Sequence, residues 1–359
     1  MRAVIVLCFC CWLAIVIVAA ASSTSNFQGK PTPNQVSIDY KLPASGISLH
    51  EPVILVFSVQ NGLPQPITLT LGGQNRQFFQ FWLTTPDGQV LKSSPPAGWD
   101  AEVVIFDGQG KALVAPGGIY QQPLLMNQWF HFTTPGTYLL TSRLTTNIDV
   151  SGDASLPPQN QITRLLVHPR DPVRLEKVCA ELANQVEVSQ SVEAAIFPAL
   201  KLSYVEDPIA VPYLAQVMRS HTLAYDRAIP GLERIGNDDA IEVLLSALSD
   251  SYGGIADLAT GTLARMQDRI TNPRLKDAVK KAVQLSLARA RNAFIKQQIA
   301  YLDYRDPHLQ DSAIQNLTKV EDGLHQAEPV LQRLANDPHQ PADVRAAARD
   351  ALQKLHPPQ

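Results

Sequence analysis

The sequence predicts two domains of different class, an all-β sandwich followed by an all-α stack of paired helices, and three observations lead there. The first is a triad of positions that recurs in the C-terminal half: Ile196/Leu200/Ser203, Ala228/Leu232/Ile235, Ala259/Leu263/Met266, Ala313/Leu317/Val320 and Ala348/Leu352/Leu355. Each triad keeps an i, i+4, i+7 spacing, which sets its members on one helix face. A helix pair of this kind cannot bury its apolar face alone and must stack on its neighbours. The second is punctuation. Between Pro33 and Pro169, runs rich in Val, Ile, Phe, Tyr and Thr are separated by Asn61-Gly62, Gly72-Gly73, Asp87-Gly88 and Pro116-Gly117-Gly118, the cadence of a β-domain. The third is charge, since most Lys, Arg, Asp and Glu lie after Val173.

From the start of the chain, Met1-Arg2 precedes an unbroken apolar run, Ala3 to Ala21, that closes on Ala19-Ala20-Ala21 before the polar Ser22 to Asn26. This reads as a secretory signal peptide over 1–21, cleaved after Ala21, with a flexible mature N-terminus over 22–32. The protein is then expected to be exported, periplasmic or extracellular. The run is also long enough for an uncleaved N-terminal membrane anchor, which is the alternative. Cys8, Cys10 and Cys11 lie inside the run, so cleavage leaves Cys179 as the remaining cysteine. A lone thiol closes no intramolecular disulfide, and the exported protein must stand on its cores. Cys179, among Leu175, Val178 and Leu182 on a predicted helix, reads as a small buried apolar residue rather than a reactive thiol.

The β-domain is expected over 33–169. Val53 to Val59, Phe78 to Thr84, Glu102 to Phe106, Tyr138 to Leu144 and Ile162 to Val167 are its clearest strands, while Asp149 to Gln159 reads as a long exposed loop. Turn signals at this spacing favour a sandwich. His131, beside Trp129 and Phe130, is placed half-buried on a strand. Leu49-His50-Glu51-Pro52-Val53 leading into Phe57-Ser58-Val59-Gln60-Asn61, then Phe81-Trp82-Leu83-Thr84-Thr85-Pro86-Asp87-Gly88, and finally Trp129-Phe130-His131-Phe132-Thr133-Thr134-Pro135-Gly136-Thr137-Tyr138 carry a resemblance. They resemble an immunoglobulin-like domain family common in exported bacterial proteins and distantly related to intracellular proteinase inhibitor-type sandwiches. The resemblance implies an Ig-like β-sandwich. Inhibition or sensing would need a rigid exposed loop, and Lys92 to Asp100, with Pro95-Pro96, is the one tempting segment.

A short stiff linker is expected over 170–174, in His168-Pro169-Arg170-Asp171-Pro172, followed by helices over 175–359. They pair as Leu175–Val186 with Ser191–Ser203, Ile209–Arg219 with Ala224–Ile235, Ala240–Leu248 with Ile255–Met266, Ala293–Asp303 with Leu309–Val320, and Pro329–Ala335 with Ala342–Leu355. The step from Leu263 to Leu317 is long, and an extra helix, Arg274 to Arg289, fills it. Leu275, Val279, Val283 and Leu287 form its apolar side, and as an insertion it is expected to be dispensable for folding. Asp207-Pro208-Ile209-Ala210-Val211-Pro212-Tyr213-Leu214, the stretch Gly231 to Leu244, and Asp343-Val344-Arg345-Ala346-Ala347-Ala348-Arg349-Asp350-Ala351-Leu352 resemble HEAT repeats of the phycobilisome-lyase type. That implies an all-α HEAT-like solenoid of about five helical hairpins. The family's Asp-Val-Arg element, which opens the second helix, survives only at Asp343-Val344-Arg345. Tyr225, Ala256 and Gln310 stand at the equivalent positions, so the polar ladder is broken and the stack irregular.

The chain shows no His-Glu-x-x-His helix, Gly-x-Ser-x-Gly elbow, phosphate-cradling Gly-rich loop or Cys-x-x-Cys pair, which favours a non-enzymatic protein without cofactor or identified small-molecule substrate. Among His50, His131, His168, His221, His308, His325, His339 and His356, no two share the i, i+4 spacing of a helical metal site. His308 reads as part of a solvated turn after Asp306-Pro307. The enzyme alternatives are a lyase, by the repeat-family resemblance, or a hydrolase with dispersed carboxylates. A net charge of -3 argues against a nucleic-acid binder. Against it runs a basic stretch from Arg265 to Lys296, which lacks the interleaved aromatics that stack bases. Its Lys276, Lys280 and Lys281 are candidates for an anionic or protein surface, with a solvated face as the plain alternative. Arg234, Asp257, Arg265 and Arg349, on second helices, are the other candidate contacts. The reading is a secreted scaffold that binds another protein. Asn316-Leu317-Thr318 is a formal glycosylation sequon that falls mid-helix.

Overall fold

A computed structural model describes residues 34–70, 79–93, 111–145, 148–150, 155–156, 160–220, 224–250, 253–320 and 322–356. The signal or anchor segment, the strand Glu102–Phe106 and most of Lys92–Asp100, including Pro95-Pro96, lie outside the described residues. Within these residues the chain has a β-rich N-terminal region and a C-terminal helical region, ten α-helices in all. Spatial proximity divides the chain into two compact units, residues 1–178 with 184–201, and 179–183 with 202–359. No helix among the described residues is long and apolar enough to cross a membrane.

The strands are β1 (Val36–Lys41), β2 (Ile47–Ser48), β3 (Ile54–Asn61), β4 (Ile67–Thr70), β5 (Phe79–Thr84), β6 (Val90–Lys92), β7 (Lys111–Val114), β8 (Ile119–Leu125), β9 (Gly136–Leu144), β10 (Ile148–Val150), β11 (Ser155–Leu156) and β12 (Asn160–His168). They form three sheets, ordered β1-β3-β8, β2-β12-β9-β5-β6 and β11-β10-β4-β7. Side chains alternate across a strand, so one face of each can be apolar. β5 buries Phe79, Phe81 and Leu83 and turns Gln80, Trp82 and Thr84 the other way. Register brings Leu83 opposite Leu140 and Tyr138 opposite Leu165. These residues share one core with Tyr40, Leu55 and Phe57, where each large side chain contributes about 1.5–3 kcal/mol relative to exposure.

Two local expectations for this region are corrected. His131 is exposed and on no strand, because Met126–Gln128 forms a 3-10 turn and Phe130 and Phe132 take the buried positions. Asn127 Oδ1 anchors that turn by accepting the Val53 N–H at 2.6 Å. Asp149–Gln159 is not wholly loop, since β10 pairs with both β4 and β11.

The helices are α1 (Pro172–Glu187), α2 (Val192–Ser203), α3 (Val211–Arg219), α4 (Tyr225–Ile235), α5 (Asp238–Ala247), α6 (Gly253–Met266), α7 (Pro273–Leu302), α8 (Pro307–Leu317), α9 (Gly323–Asn336) and α10 (Ala342–Leu355). The expected linker already holds the start of α1. Asp171 caps it by accepting the Arg174 N–H at 3.1 Å, and Arg174 pairs with Glu51 at 2.8 Å. Cys179 is buried on α1. In α2 the register is one residue off: Ala195, Ala199 and Leu202 are buried, while Ile196 and Leu200 are half-buried. Leu232, Leu263 and Leu317 are fully buried, whereas Leu352 is half-buried behind Ala348 and Ala351.

From α3 onward each helix packs on the next, and α3 on α5, α4 on α6, α5 on α7, α7 on α9 and α8 on α10 pack as next-but-one pairs. The pattern is not sustained between α6 and α8. At that place the expected extra helix and the first helix of the fourth pair are one continuous helix, α7, 30 residues long. Nothing between Pro273 and Leu302 is Gly or Pro, and Ala, Leu, Lys and Arg dominate, so no breaker divides it. α7 is therefore not a dispensable insertion. It supplies Leu275, Val279 and Val283 to the interior, and Ile295 and Leu302 to a core shared with Ile314, Leu317, Leu331 and Leu334.

Candidate functional site

α7 starts where Asn272 accepts the N–H groups of Arg274 and Leu275 and Pro273 takes the first turn, the favoured chemistry of a helix N-terminus. Its first half buries Leu275, Val279 and Val283, and its second half Ile295, Gln298 and Leu302. At about 100° per residue, the twelve steps from Val283 to Ile295 turn the buried face by about 120°. Between Gln284 and Phe294 no side chain is buried. Leu285, Leu287 and Phe294 are exposed there, at 51%, 56% and 38%. Leu287 thus leaves the apolar side assigned to it, because the helix changes faces just where periodicity would have kept it inside.

The helix carries Arg274, Lys276, Lys280, Lys281, Arg289, Arg291 and Lys296 against a single carboxylate, Asp277. Among the described residues no carboxylate pairs with Lys276, Lys280, Lys281, Arg274, Arg289 or Lys296. Several cations on neighbouring helices are partnered. Arg265 and Arg269 both reach Glu233, at 2.6 and 3.3 Å, and Arg333 pairs with Asp303. Hydrogen bonding to the Glu233 carboxylate holds the Arg265 guanidinium above its ordinary pKa range. Like charges without counter-charge keep this surface hydrated and positive.

The four candidates on second helices are not gathered. Arg234 lies over the Tyr204 ring at 3.8 Å and donates to the Ser203 carbonyl at 3.0 Å, contacts that hold α4 to the end of α2. Arg265 ties α6 to Glu233 of α4, and Arg349 donates to the Ala335 carbonyl at 3.1 Å. Asp257 is exposed near the start of α6. Three of the four are thus engaged in internal contacts, whereas α7 presents a row of cations without carboxylate partners among the described residues. Sequence reasoning reached Lys276, Lys280 and Lys281 but not Leu285, Arg289 and Lys296 as one surface. The available signal was thirty residues without a breaker. His308 is exposed, and its N–H donates to the capping Asp306 at 3.0 Å, so it lies in the first turn of α8 rather than in a turn before the helix.

No protein-family model matches the chain, and no curated protein matches it. Solved structures with some similarity include the alpha-2-macroglobulin of Salmonella reacted with methylamine, at 13% identity and TM-score 0.22, over 87% of this chain and 23% of that one. Another is Astrotactin-2, a vertebrate-specific, perforin-like membrane protein involved in neuronal development, at 12% identity and TM-score 0.17, over 62% and 38%. The chain spans well under half the length of either. Likeness at this level carries no argument about role, and nothing in these comparisons indicates an enzymatic family.

Proposed function

We propose that the chain is an exported, non-enzymatic scaffold, an Ig-like sandwich followed by a HEAT-like solenoid, that binds another protein through its helical region. The exposed, uncompensated α7 surface carries this reading. Leu287 and Phe294, seven residues apart, lie uncovered on one side of the helix and Leu285 on the other, and a row of cations along such a helix selects a charged partner. A shared core behind the sheets supports the sandwich. So does the Tyr138 hydroxyl, which donates to the Thr134 carbonyl at 2.8 Å and accepts its N–H at 3.3 Å, in the manner of a tyrosine corner. Next-but-one packing supports the solenoid, since repeats of paired helices stack in this way. Ala19 and Ala21 support export, and a secreted chain whose mass begins at Ser22 is the expected result.

A photo-crosslinking residue placed at Leu285 or Arg289 in the native host should yield a discrete protein adduct, and one at the exposed Ile162 of β12 should not. Absence of protein adducts from every exposed position of the helical region would refute the scaffold reading.

A further inference from the structure

Resting on that reading, we infer that α7 receives an acidic amphipathic helix of the partner protein. Arg274, Ala278, Lys281, Leu285, Arg289, Asn292 and Lys296 follow one another at steps of four, three, four, four, three and four residues. That is the spacing of a helix-to-helix seam. All seven are exposed, and the row is about 33 Å long, at about 1.5 Å per residue. It runs the length of a helix whose two buried faces both lie to its sides, so a straight partner can follow it past both packed groups. Ala278 lets a second backbone come close, and Leu285 gives that backbone one apolar contact at mid-seam.

Charge complementarity fixes the occupant's sign. Arg274, Lys281, Arg289 and Lys296 recur at seven, eight and seven residues, and carboxylates at heptad spacing on a facing helix meet them at the same rise. A flat anionic membrane fits less well. Leu285 and Leu287 are two residues apart and point about 200° from each other around the helix, so a plane can reach only one of them.

The test uses the full mature chain and a synthetic helical peptide of about 22 residues with Glu flanking a Leu/Ala face. Its shuffled isomer and phosphatidylserine/phosphatidylcholine vesicles serve as the other probes. The designed peptide should bind at least about tenfold more tightly than its isomer, with affinity falling as salt rises. K281E/R289E/K296E should abolish binding while leaving the thermal midpoint in place, and Leu285→Ala should weaken it. Equal binding of both peptides, binding that survives the triple reversal, stronger binding to the vesicles, or no binding at all would each overturn the inference. Should crosslinks from other positions of the helical region persist when the peptide fails, this inference falls and the scaffold reading stands; loss of all such crosslinks removes both.

Discussion

Replacing Ile295 and Leu287 by alanine, one at a time, tests the change of buried face within α7. Ile295 is fully buried in the core with Leu302, Leu317 and Leu331, whereas Leu287 is 56% exposed. Truncating a buried Ile to Ala costs about 2–5 kcal/mol through lost transfer energy and the cavity left behind. A unit of this size loses about 2–4 °C per kcal/mol, so Ile295→Ala should lower the thermal midpoint by about 4–20 °C. Leu287→Ala should stay within about 0.5 kcal/mol. Circular dichroism during thermal and urea unfolding of the full chain measures both. If Leu287→Ala costs as much as Ile295→Ala, the apolar stripe of Leu275, Val279 and Val283 continues straight along the helix and the face change is wrong.

Gly231 of α4 sits where an added Cβ would lie 2.8 Å from the Ser203 Cα, so Gly231→Ala should destabilise by about 1–3 kcal/mol despite better helix propensity, read as a lower urea midpoint. Tyr138→Phe removes the bonds to Thr134 and should cost about 1–3 kcal/mol, with little change in the m-value. Burial holds the Lys201 ammonium, which lies over the Phe197 ring, below its ordinary pKa of 10.5. The unfolded chain therefore binds the extra proton between the two pKa values, so this site's contribution to stability should increase as pH rises through that window. Lys201→Met should flatten the increase in pH-dependent urea melts.

Local signals served well where burial follows a single period. The alternation of Phe79, Phe81 and Leu83 marks a strand, and Leu232, Leu263 and Leu317 occupy interior positions. The reading failed where two registers share one spacing. In α2, Ile196 and Leu200 outweigh Ala195 and Ala199 in hydrophobicity, but alanines suit a tight contact and are the ones buried. It failed again in α7, where a change of face interrupts the periodicity and imitates a boundary between two helices. Arg234 and Arg265 looked free for a partner because the groups that hold them, Tyr204 and Glu233, lie about thirty residues earlier in the sequence. Contacts of that range depend on the packing of whole helices, which no local pattern encodes.

The uncovered middle of α7 also acts as a phase element. Each residue inserted there would turn the packed group beyond it by about 100° and advance it by about 1.5 Å relative to the group before it. The number of residues between Gln284 and Phe294 is therefore fixed even though none of their side chains is buried. Insertion of seven residues returns the two groups to within about 20° of their original alignment, and insertion of one puts them badly out of step. A segment with no buried side chain thus sets the angle between the two groups that α7 joins.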